Sequence, residues 1–423
     1  MSPGNTPITQ SLEHRPARLS WPRRISPAER NTLIAGGLGW MLDAFDVALY
    51  SLVLAHLMRD FGMSQALGGL LNSLTLIASA IGGFLLGLIA DRVGRTRSLI
   101  ASILIYSVAS GACGLSNTVI QLAIFRFILG LGMGGEWSTG ATLVAETWPA
   151  EHRGKALGLM QSTYAIGEMI AALIVGFMLP RFGWRSVFFV GILPALLAVW
   201  IQRRVPEPEI WKRKTSSQQP RGSIRLMWRK DLRRNGVIAT AMNAFSMFGY
   251  WGLFTWIPAY LSLPVDMGGR GLSLVKTTTW LIVMGVGKWF GYTIFGFSAD
   301  AFGRRRSYVA YLLIAAALVP IYGLARTPIW LLILGPLVAF FGTGYFSGFG
   351  AIVSELFPTE IRATAMGTSY NIGRGTSAAA PFVIGLLARQ LGLGPSFFLL
   401  GGAFFLAALF ALALPETKGK ELT

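Results

Sequence analysis

The sequence contains few charged residues. Asp, Glu, Lys and Arg make up only 13% of the 423 residues, whereas the apolar set AVILMFWYC makes up 53%. A soluble chain has about a quarter of its residues charged, so this chain lacks the side chains needed to cover a water-facing surface. We therefore predict a membrane protein rather than the two or three soluble domains that this length would otherwise suggest.

Cysteine and histidine are also scarce. Cys113 is the single cysteine, which excludes a disulfide framework and a thiolate metal site. His14, His56 and His152 lie too far apart for any recognised ligand spacing. A Walker phosphate loop is missing as well, so ATP is not expected as the energy source. We predict no metal site and no cofactor, and we do not expect an enzyme.

Basic charge is in excess, with a formal net charge of +18. It lies in short clusters between apolar stretches, whereas a nucleic-acid-binding protein carries it on a continuous face. Most of these clusters fall on the side of the membrane that the two termini share, which by the positive-inside rule is the cytoplasm. We predict a multi-pass protein of the plasma (cell inner) membrane, with lipid as a partner and no nucleic acid.

Apolar stretches of membrane-spanning length begin at Leu33 and alternate with short polar breaks. We predict an all-α fold with twelve transmembrane helices, at 33–58, 66–90, 98–115, 119–145, 154–178, 186–202, 235–262, 272–298, 307–325, 329–353, 364–388 and 395–414. The predicted domains are a cytoplasmic tail at 1–32, a six-helix bundle at 33–202, a cytoplasmic linker at 203–234, a second six-helix bundle at 235–414 and a cytoplasmic tail at 415–423.

The second half of the chain repeats the first. The segment Gly87-Leu-Ile-Ala-Asp91 recurs as Gly296-Phe-Ser-Ala-Asp300, which is an offset of 209 positions. Further charged residues recur at the same offset. The pairs are Asp91 and Asp300, Arg95 and Arg304, Glu146 and Glu355, Arg153 and Arg362, and Glu207 and Glu416. Two equivalent bundles joined by a linker are typical of a carrier whose halves rock around a central site.

Most of these repeated charges are expected at one depth, at the cytoplasmic ends of the helices. We predict that they form a latch, which is closed when the cavity faces outward and broken when it opens inward. The predicted members are Asp91, Arg95, Arg97, Glu146, Arg153, Asp300, Arg304, Arg306, Glu355 and Arg362. The alternative is that they only set the topology.

The Asp91 loop and its repeat resemble the signature loop of the major facilitator superfamily. Arg126-x-x-x-Gly130-x-Gly132 and the ending Pro415-Glu416-Thr417-Lys418-Gly419 resemble sugar-porter-type members. Other motifs are similar to those of the sialate/monocarboxylate:proton (metabolite:H+) symporter group. They include Asp43-Ala-Phe-Asp46, Gly134-Gly135-Glu136, Glu146-x-Trp148-Pro149 and Gly183-Trp184-Arg185. The resemblance implies the superfamily fold of two pseudo-symmetric six-helix bundles, over roughly residues 33–420.

Several ionisable residues fall well inside the predicted spans, where a charge facing lipid costs at least about 2.5–3.5 kcal/mol. They are Asp43, Asp46, Arg126, Glu136, Glu168, Lys288 and Arg374. We therefore expect these side chains to face one another or a hydrated cavity. The acids all belong to the first bundle, whereas the second bundle contributes only basic residues.

This division predicts separate roles. The resemblance implies that Asp46 and Arg126 form a proton-coupling pair, and Asp43, Glu136 and Glu168 are further proton-coupling candidates. Lys288 and Arg374 are suited to holding a substrate carboxylate. Tyr164, Trp256 and Tyr370 are aromatic candidates for the lining of the substrate site. The alternative is that the buried charges only neutralise one another as structural bridges.

The predicted function is secondary active transport by alternating access, with proton symport of a small organic anion such as sialate or a monocarboxylate. The predicted partners are a small-molecule substrate, protons and the bilayer, and the chain is expected to work as a monomer. The alternatives are a carrier of a neutral sugar or an aromatic acid, an uncoupled facilitator, and a non-transporting receptor built on the same fold.

Overall fold

A computed structural model describes residues 25–63, 65–215, 224–230, 232–262, 265, 269–272, 274–420 and 422. All regular secondary structure within these residues is helical, which confirms the predicted all-α fold. The N-terminal tail predicted at 1–32 lies mostly outside the described residues. Its last residues already belong to the first helix, which begins at Pro27.

Six helices form the first half of the chain. They are α1 (Pro27–Phe61), α2 (Gln65–Val93), α3 (Arg95–Gly114), α4 (Val119–Thr147), α5 (Arg153–Val190) and α6 (Pro194–Arg204). Two short helices lie in the predicted linker, α7 (Glu209–Thr215) and α8 (Ile224–Met227). The second half contains α9 (Arg233–Ser262), α10 (Leu274–Phe302), α11 (Arg304–Leu324), α12 (Pro328–Gly344), α13 (Phe346–Leu356), α14 (Arg362–Ser377), α15 (Ala380–Leu391) and α16 (Leu393–Leu412).

The twelve predicted spans are present, although several are longer than predicted or are broken. Ten segments of the described chain are long and apolar enough to cross a membrane, and one of them, Pro328–Leu356, joins α12 and α13. Helix α10, with 29 residues, and the broken helix α14–α15 complete the twelve. The break before α15 is explained by Pro381 in its first turn, because proline has no N–H to continue a preceding helix.

The polar gap that we predicted between the fifth and sixth spans, at 179–185, is much shorter in the structure. Helix α5 continues through it to Val190 and departs from helical geometry only at Gly183, where φ is 74°. The equivalent break in the second half lies at Gly392, between α15 and α16, where φ is 84°. A positive φ is accessible to glycine without strain, so one residue replaces a loop in both halves.

The first half has an apolar core of its own. The core of the second half continues across the interface to apolar side chains of the first half, among them Trp137, Leu157 and Met160. The most extensive helix contacts between the halves involve two pairs of helices. Helix α2 packs against α14, and α5 packs against α10. The α5–α10 contact is so close that a Cβ added to Gly158 would lie 2.9 Å from the Cα atom of Gly296. We call the end of the molecule that contains the α2–α3 and α10–α11 turns the charged end, because the repeated charges lie there.

Candidate functional site

A narrow cavity lies between the halves and is lined by residues of α1, α2, α4 and α14. The lining residues are Asp46, Val47, Thr75, Leu76, Ser79, Arg126, Leu129, Met133 and Arg374. The structure therefore brings together three of the ionisable residues that we predicted for the site. Two of them are guanidinium groups that come from different halves of the chain.

Arg374 reaches from α14 into the first half. Its Nη1 atom donates a hydrogen bond to Ser79 Oγ at 3.0 Å, and its buried Nε atom has no hydrogen-bond partner among the described residues. None of the described carboxylates lies within 4 Å of this guanidinium. The half-buried charge of Arg374 is thus held in place by a neutral side chain, with no carboxylate bound to it.

Arg126 is buried in the same cavity. Its Nε atom donates to Thr75 Oγ1 at 3.0 Å, and its guanidinium carbon lies 3.7 Å from the centre of the Tyr50 ring. Asp46, its predicted partner, instead accepts a hydrogen bond from Ser110 Oγ at 2.8 Å. Among the described residues no ion pair within 4 Å involves Arg126. Arg126 and Asp46 share the cavity in this conformation without touching, so their coupling stays a prediction.

The buried acids of the first half have unused oxygen atoms. Asp43 Oδ1, Asp46 Oδ2 and both carboxylate oxygens of Glu136 are buried without a hydrogen-bond partner among the described residues. Glu136 lies against α1, since a Cβ on Gly39 would collide with its Oε1 atom. An ionised carboxylate in such surroundings bears a large desolvation cost, which binding of a proton removes.

Aromatic rings cover the space between the cavity and the charged end. The rings of Trp137 and Tyr370 stack with centroids 4.0 Å apart, and Phe349 lies 5.9 Å from Trp137. Tyr164 packs on Trp40 at 5.0 Å. Two of the three aromatic residues that we predicted for the substrate site, Tyr164 and Tyr370, are therefore in this cluster.

The third aromatic candidate, Trp256, lies elsewhere. A Cβ added to Gly385 of α15 would lie 2.9 Å from its ring, which places the indole against the second half's own helix. The prediction that Trp256 lines the substrate site therefore gains no support. The sequence placed it inside a span but could not show which way the ring points.

Lys288 and Glu168 are half-buried on α10 and α5. The Lys288 ammonium lies 4.2 Å from the centre of the Phe254 ring and 5.4 Å from that of Tyr250. No described carboxylate, Glu168 included, forms an ion pair with it. Lys288 does not line the cavity that contains Arg374, so the two basic residues are not brought together as one carboxylate clamp in this conformation.

Two buried ion pairs at the charged end join the halves. Glu146 Oε1 lies 2.6 Å from Arg362 Nη1, and Glu355 Oε1 lies 2.7 Å from Arg153 Nη1. Each glutamate also binds an arginine of its own half. Glu146 lies 2.9 Å from Arg95 Nε. These pairs are related by the 209-residue repeat, so the same contact is made twice.

The repeated aspartates bind the other half's backbone. Asp91 accepts hydrogen bonds from the N–H groups of Ala363 and Thr364, at 3.2 and 2.8 Å, in the first turn of α14. Asp300 accepts from the N–H groups of Gly154 and Lys155, at 3.1 and 2.8 Å, in the first turn of α5. A carboxylate stabilises a helix N-terminus by satisfying its free donors and by opposing the helix dipole.

Two glutamates that we did not include in the latch stabilise the adjoining helices. Glu207 accepts hydrogen bonds from the backbone N–H groups of Arg95 and Arg97, at 2.7 and 3.0 Å, at the start of α3. Glu416 accepts from the N–H of Arg304 at 2.8 Å, at the start of α11. The recurrence of Pro206-Glu207 as Pro415-Glu416, at the same offset of 209 positions, was the sequence signal that could have identified their role.

Arg97 and Arg306 are not part of the network. Both side chains are exposed, and neither forms an ion pair with a described carboxylate. The structure thus gives no support to their membership of the latch, which stays a prediction. In each loop the first arginine lies over the interface between the halves, whereas the arginine two positions later points away from it.

Hydroxyl groups in the cavity and next to it were not singled out by the sequence. Thr75, Ser79 and Ser110 hold the buried charged side chains in place. Small polar residues are common in apolar spans, so only their position identifies them. No group of three or more His, Cys, Asp or Glu side chains in the described part of the chain could hold a metal ion.

The charges of the cavity are not repeated, although those of the charged end are. At the offset of 209 positions, Asp46 corresponds to Thr255, and Arg126 corresponds to Gly335. Arg374 corresponds to Ala165 in the first half. The repeated parts thus connect the halves, whereas the cavity is built differently on its two sides.

The sequence matches the Major Facilitator Superfamily over residues 37–292 and 262–423. The cis,cis-muconate transport protein of Acinetobacter baylyi is 33% identical over 392 residues, which cover 90% of this chain and 93% of the relative. The probable 4-methylmuconolactone transporter of Cupriavidus pinatubonensis is 32% identical, with 95% of this chain and 94% of the relative covered. The sialic acid transporter NanX of Escherichia coli is 30% identical, with 95% and 97% covered.

The fold is similar to that of a solved structure, the proton:xylose symporter XylE bound to 6-bromo-6-deoxy-D-glucose. The TM-score is 0.77 at 22% identity, and the similarity covers 93% of this chain and 98% of the other. At that identity the likeness concerns the arrangement of helices. The relatives above are named as transporters, and none of the three is named as an enzyme.

Proposed function

Because the chain belongs to the Major Facilitator Superfamily, we propose that it is a proton-coupled symporter that carries a small organic anion across the membrane by alternating access. The named cargo of two relatives, cis,cis-muconate and sialic acid, is an organic acid. The proposal extends that chemical class to this chain and leaves the individual substrate open.

The cavity guanidinium groups are the observation that carries the proposal. Arg126 and Arg374 face one cavity, and among the described residues neither is paired with a carboxylate. A guanidinium in a dry site is stabilised strongly by a carboxylate that binds it in a bidentate manner. With a neutral sugar at least one of the two positive charges would lack a counter-ion even when Asp46 is ionised, so an anion is the better fit.

We assign proton coupling to the acids of α1 and α4. Asp46 lines the cavity beside Arg126, and Asp43 lies one helical turn away on the same helix. Glu136 is buried nearby without a hydrogen-bond partner among the described residues. Protonation of Asp46 removes a negative charge from the cavity that receives the substrate carboxylate. Proton binding and anion binding therefore favour each other, which is the requirement for symport. Glu168 remains a candidate for a further proton site.

We assign the repeated ion pairs the role of a latch that holds the charged end closed. Two ion pairs and two helix caps cross between the halves there, so separation of the halves must break all four contacts together. We infer from the excess of basic residues that this end is cytoplasmic. We propose the cell's inner membrane as the location. The structure then represents a carrier that is closed on the cytoplasmic side. All the proposed site residues come from one chain, which is consistent with function as a monomer.

Purified protein in proteoliposomes tests the proposal. We expect an inward proton gradient to drive accumulation of at least one labelled carboxylate from a panel of aromatic, unsaturated and saturated acids, whereas neutral sugars are not accumulated. Arg374→Gln should abolish uptake, and Arg374→Lys should retain part of it because the positive charge is kept. Uptake of a carboxylate that ignores the gradient would identify a facilitator. Uptake of a neutral sugar that Arg374→Gln leaves unchanged would contradict the proposal.

A further inference from the structure

The stacked rings of Trp137 and Tyr370 join the two halves of the protein. Trp137 belongs to α4 and Tyr370 to α14; their planes are inclined by only 20°, with centroids 4.0 Å apart. Phe349 of α13 packs beside this stack, with its ring centroid 5.9 Å from that of Trp137 and 6.2 Å from that of Tyr370. The halves cannot separate at the charged end while these faces remain in contact.

The stack lies between the cavity and the charged end. With a rise of 1.5 Å per residue, Trp137 lies about 15 Å along α4 from its end at Thr147, and Tyr370 lies about 12 Å along α14 from its start at Arg362. Arg374 is one turn beyond Tyr370 on the same face of α14. A ligand whose carboxylate binds Arg374 therefore has the Tyr370 ring beneath it.

The indole of Trp137 is held by its own half. Its Nε1 atom donates a hydrogen bond to Gln161 Oε1 at 3.2 Å, and Trp40 packs against it at 6.4 Å. Gln161 is the counterpart of Tyr370 in the 209-residue repeat. One half thus has an amide at the position where the other half has a stacking ring, so the stack is made once only.

We propose that Trp137 and Tyr370 select planar, conjugated carboxylates and that such a ligand opens this contact. The carboxylate binds Arg374, and the conjugated plane packs on the Tyr370 ring in place of the indole of Trp137. The inference rests on the proposed function, and it adds the shape of the substrate and the residues that recognise it.

The physical basis is that stacking of the ligand on Tyr370 replaces stacking of Trp137 on Tyr370. A stacked aromatic pair contributes up to about tenfold to an equilibrium beyond the effect of burying its surface. A planar ligand restores this contribution as the rings part, so its binding does not oppose separation of the halves. A saturated ligand of the same size and charge offers no flat face, and opening then loses the stack without replacement.

Two matched ligand pairs test the inference in proteoliposomes of the full chain. Benzoate is compared with cyclohexanecarboxylate, and cis,cis-muconate with adipate, because the members of each pair share size and charge but differ in planarity. We expect the planar member to have a kcat/KM up to about tenfold higher. Tyr370→Phe should keep this preference, and Tyr370→Leu should reduce it to within about threefold. Phe245→Leu removes a comparable stack inside the second half, with Phe410 at 5.6 Å, and should leave the preference unchanged.

A second measurement leaves Trp137 and Tyr370 unchanged and follows the opening of the charged end by thiol labelling. Thr142 of α4 lies nearer the charged end and donates a hydrogen bond to Met366 of α14 at 3.0 Å. A cysteine placed there by Thr142→Cys, with Cys113→Ala, should be labelled from the charged-end side faster with benzoate than with cyclohexanecarboxylate. Equal transport and equal labelling for both members of a pair, or a preference that survives Tyr370→Leu, would overturn the inference but not the symporter. Absence of gradient-driven uptake of any carboxylate would instead refute the proposed function, and this inference with it.

Discussion

Glu146 and Arg362 lie more than 200 positions apart in the chain, yet their carboxylate and guanidinium meet at 2.6 Å in a fully buried ion pair. Glu355 and Arg153 make the equivalent contact at 2.7 Å. A buried ion pair that loses one partner leaves an uncompensated charge, which costs about 3–5 kcal/mol. The two pairs therefore make closure of the charged end sensitive to single substitutions.

Glu146→Gln is expected to shift the protein toward the conformation that is open at the charged end. Arg362 would lose its partner across the interface, so the closed conformation becomes less stable by up to about 3 kcal/mol. In a Cys113→Ala background, a thiol reagent added on the side of the charged end should label the cysteine introduced by Thr142→Cys at least about tenfold faster. Glu209→Gln, which removes an exposed pair with Lys212, is the control and should have no effect. Unchanged labelling in Glu146→Gln would show that the pair does not act as a latch.

Asp46→Asn is expected to uncouple transport from protons. The amide keeps the size of the side chain and the possible hydrogen bond to Ser110, but it cannot bind and release a proton at neutral pH. Exchange of labelled for unlabelled substrate should continue, whereas accumulation driven by a pH gradient should fall to the level of equilibration. Ser110→Ala, which removes the hydrogen-bond partner but keeps the carboxyl, should retain accumulation. Gradient-driven accumulation that persists in Asp46→Asn would move the coupling role to Asp43 or Glu136.

Gly39→Ala is expected to destabilise the protein by about 1–3 kcal/mol, because the added methyl group would overlap Glu136 Oε1. The loss should be smaller when Glu136 is shortened to Asp, and a double-mutant cycle on the midpoint of thermal unfolding measures the coupling. Gly285→Ala on α10 is the matched control, because nothing lies within 4 Å of its added Cβ. Equal losses at both glycines would mean that Glu136 does not press against α1.

Glu207→Gln and Glu416→Gln are each expected to destabilise the protein by about 0.5–2 kcal/mol, since each removes the charge that caps a helix at the charged end. The two losses should add in the double variant, because the caps are on different helices and share no partner. Thermal unfolding in detergent gives all three values. If only one of the two single variants lost stability, the repeated Pro-Glu motifs would have different roles in the two halves.

Much of the fold was predictable because lipid imposes strict rules on length and polarity. The helix ends at the charged end follow the repeat, with α2 ending at Val93 and α10 ending at Phe302, 209 positions later. The predicted positions and lengths of the turns between consecutive helices were less accurate. A single glycine with positive φ, Gly183, is enough to separate two spans, and hydropathy does not resolve a break of one residue.

The site was predictable in its residue types but not in its pairing. Buried charges had to face a cavity or one another, and Arg374, Arg126 and Asp46 do share one. The sequence could not show that Ser110 and Thr75 bind these side chains more closely than the charges bind each other. It also gave no indication that Arg97 is exposed, because the direction of a side chain in the first turn of α3 depends on how that helix packs at the interface.

The unmatched charges of the cavity have a consequence for the direction in which the cargo lies. Were Arg374 opposed by an arginine at position 165, a ligand could bind in two equivalent poses related by the pseudo-twofold axis. Position 165 is alanine, so the two poses are unequal in free energy. An acid with one carboxylate is therefore expected to occupy one of them, with its charged end toward the arginines and its other end toward uncharged side chains.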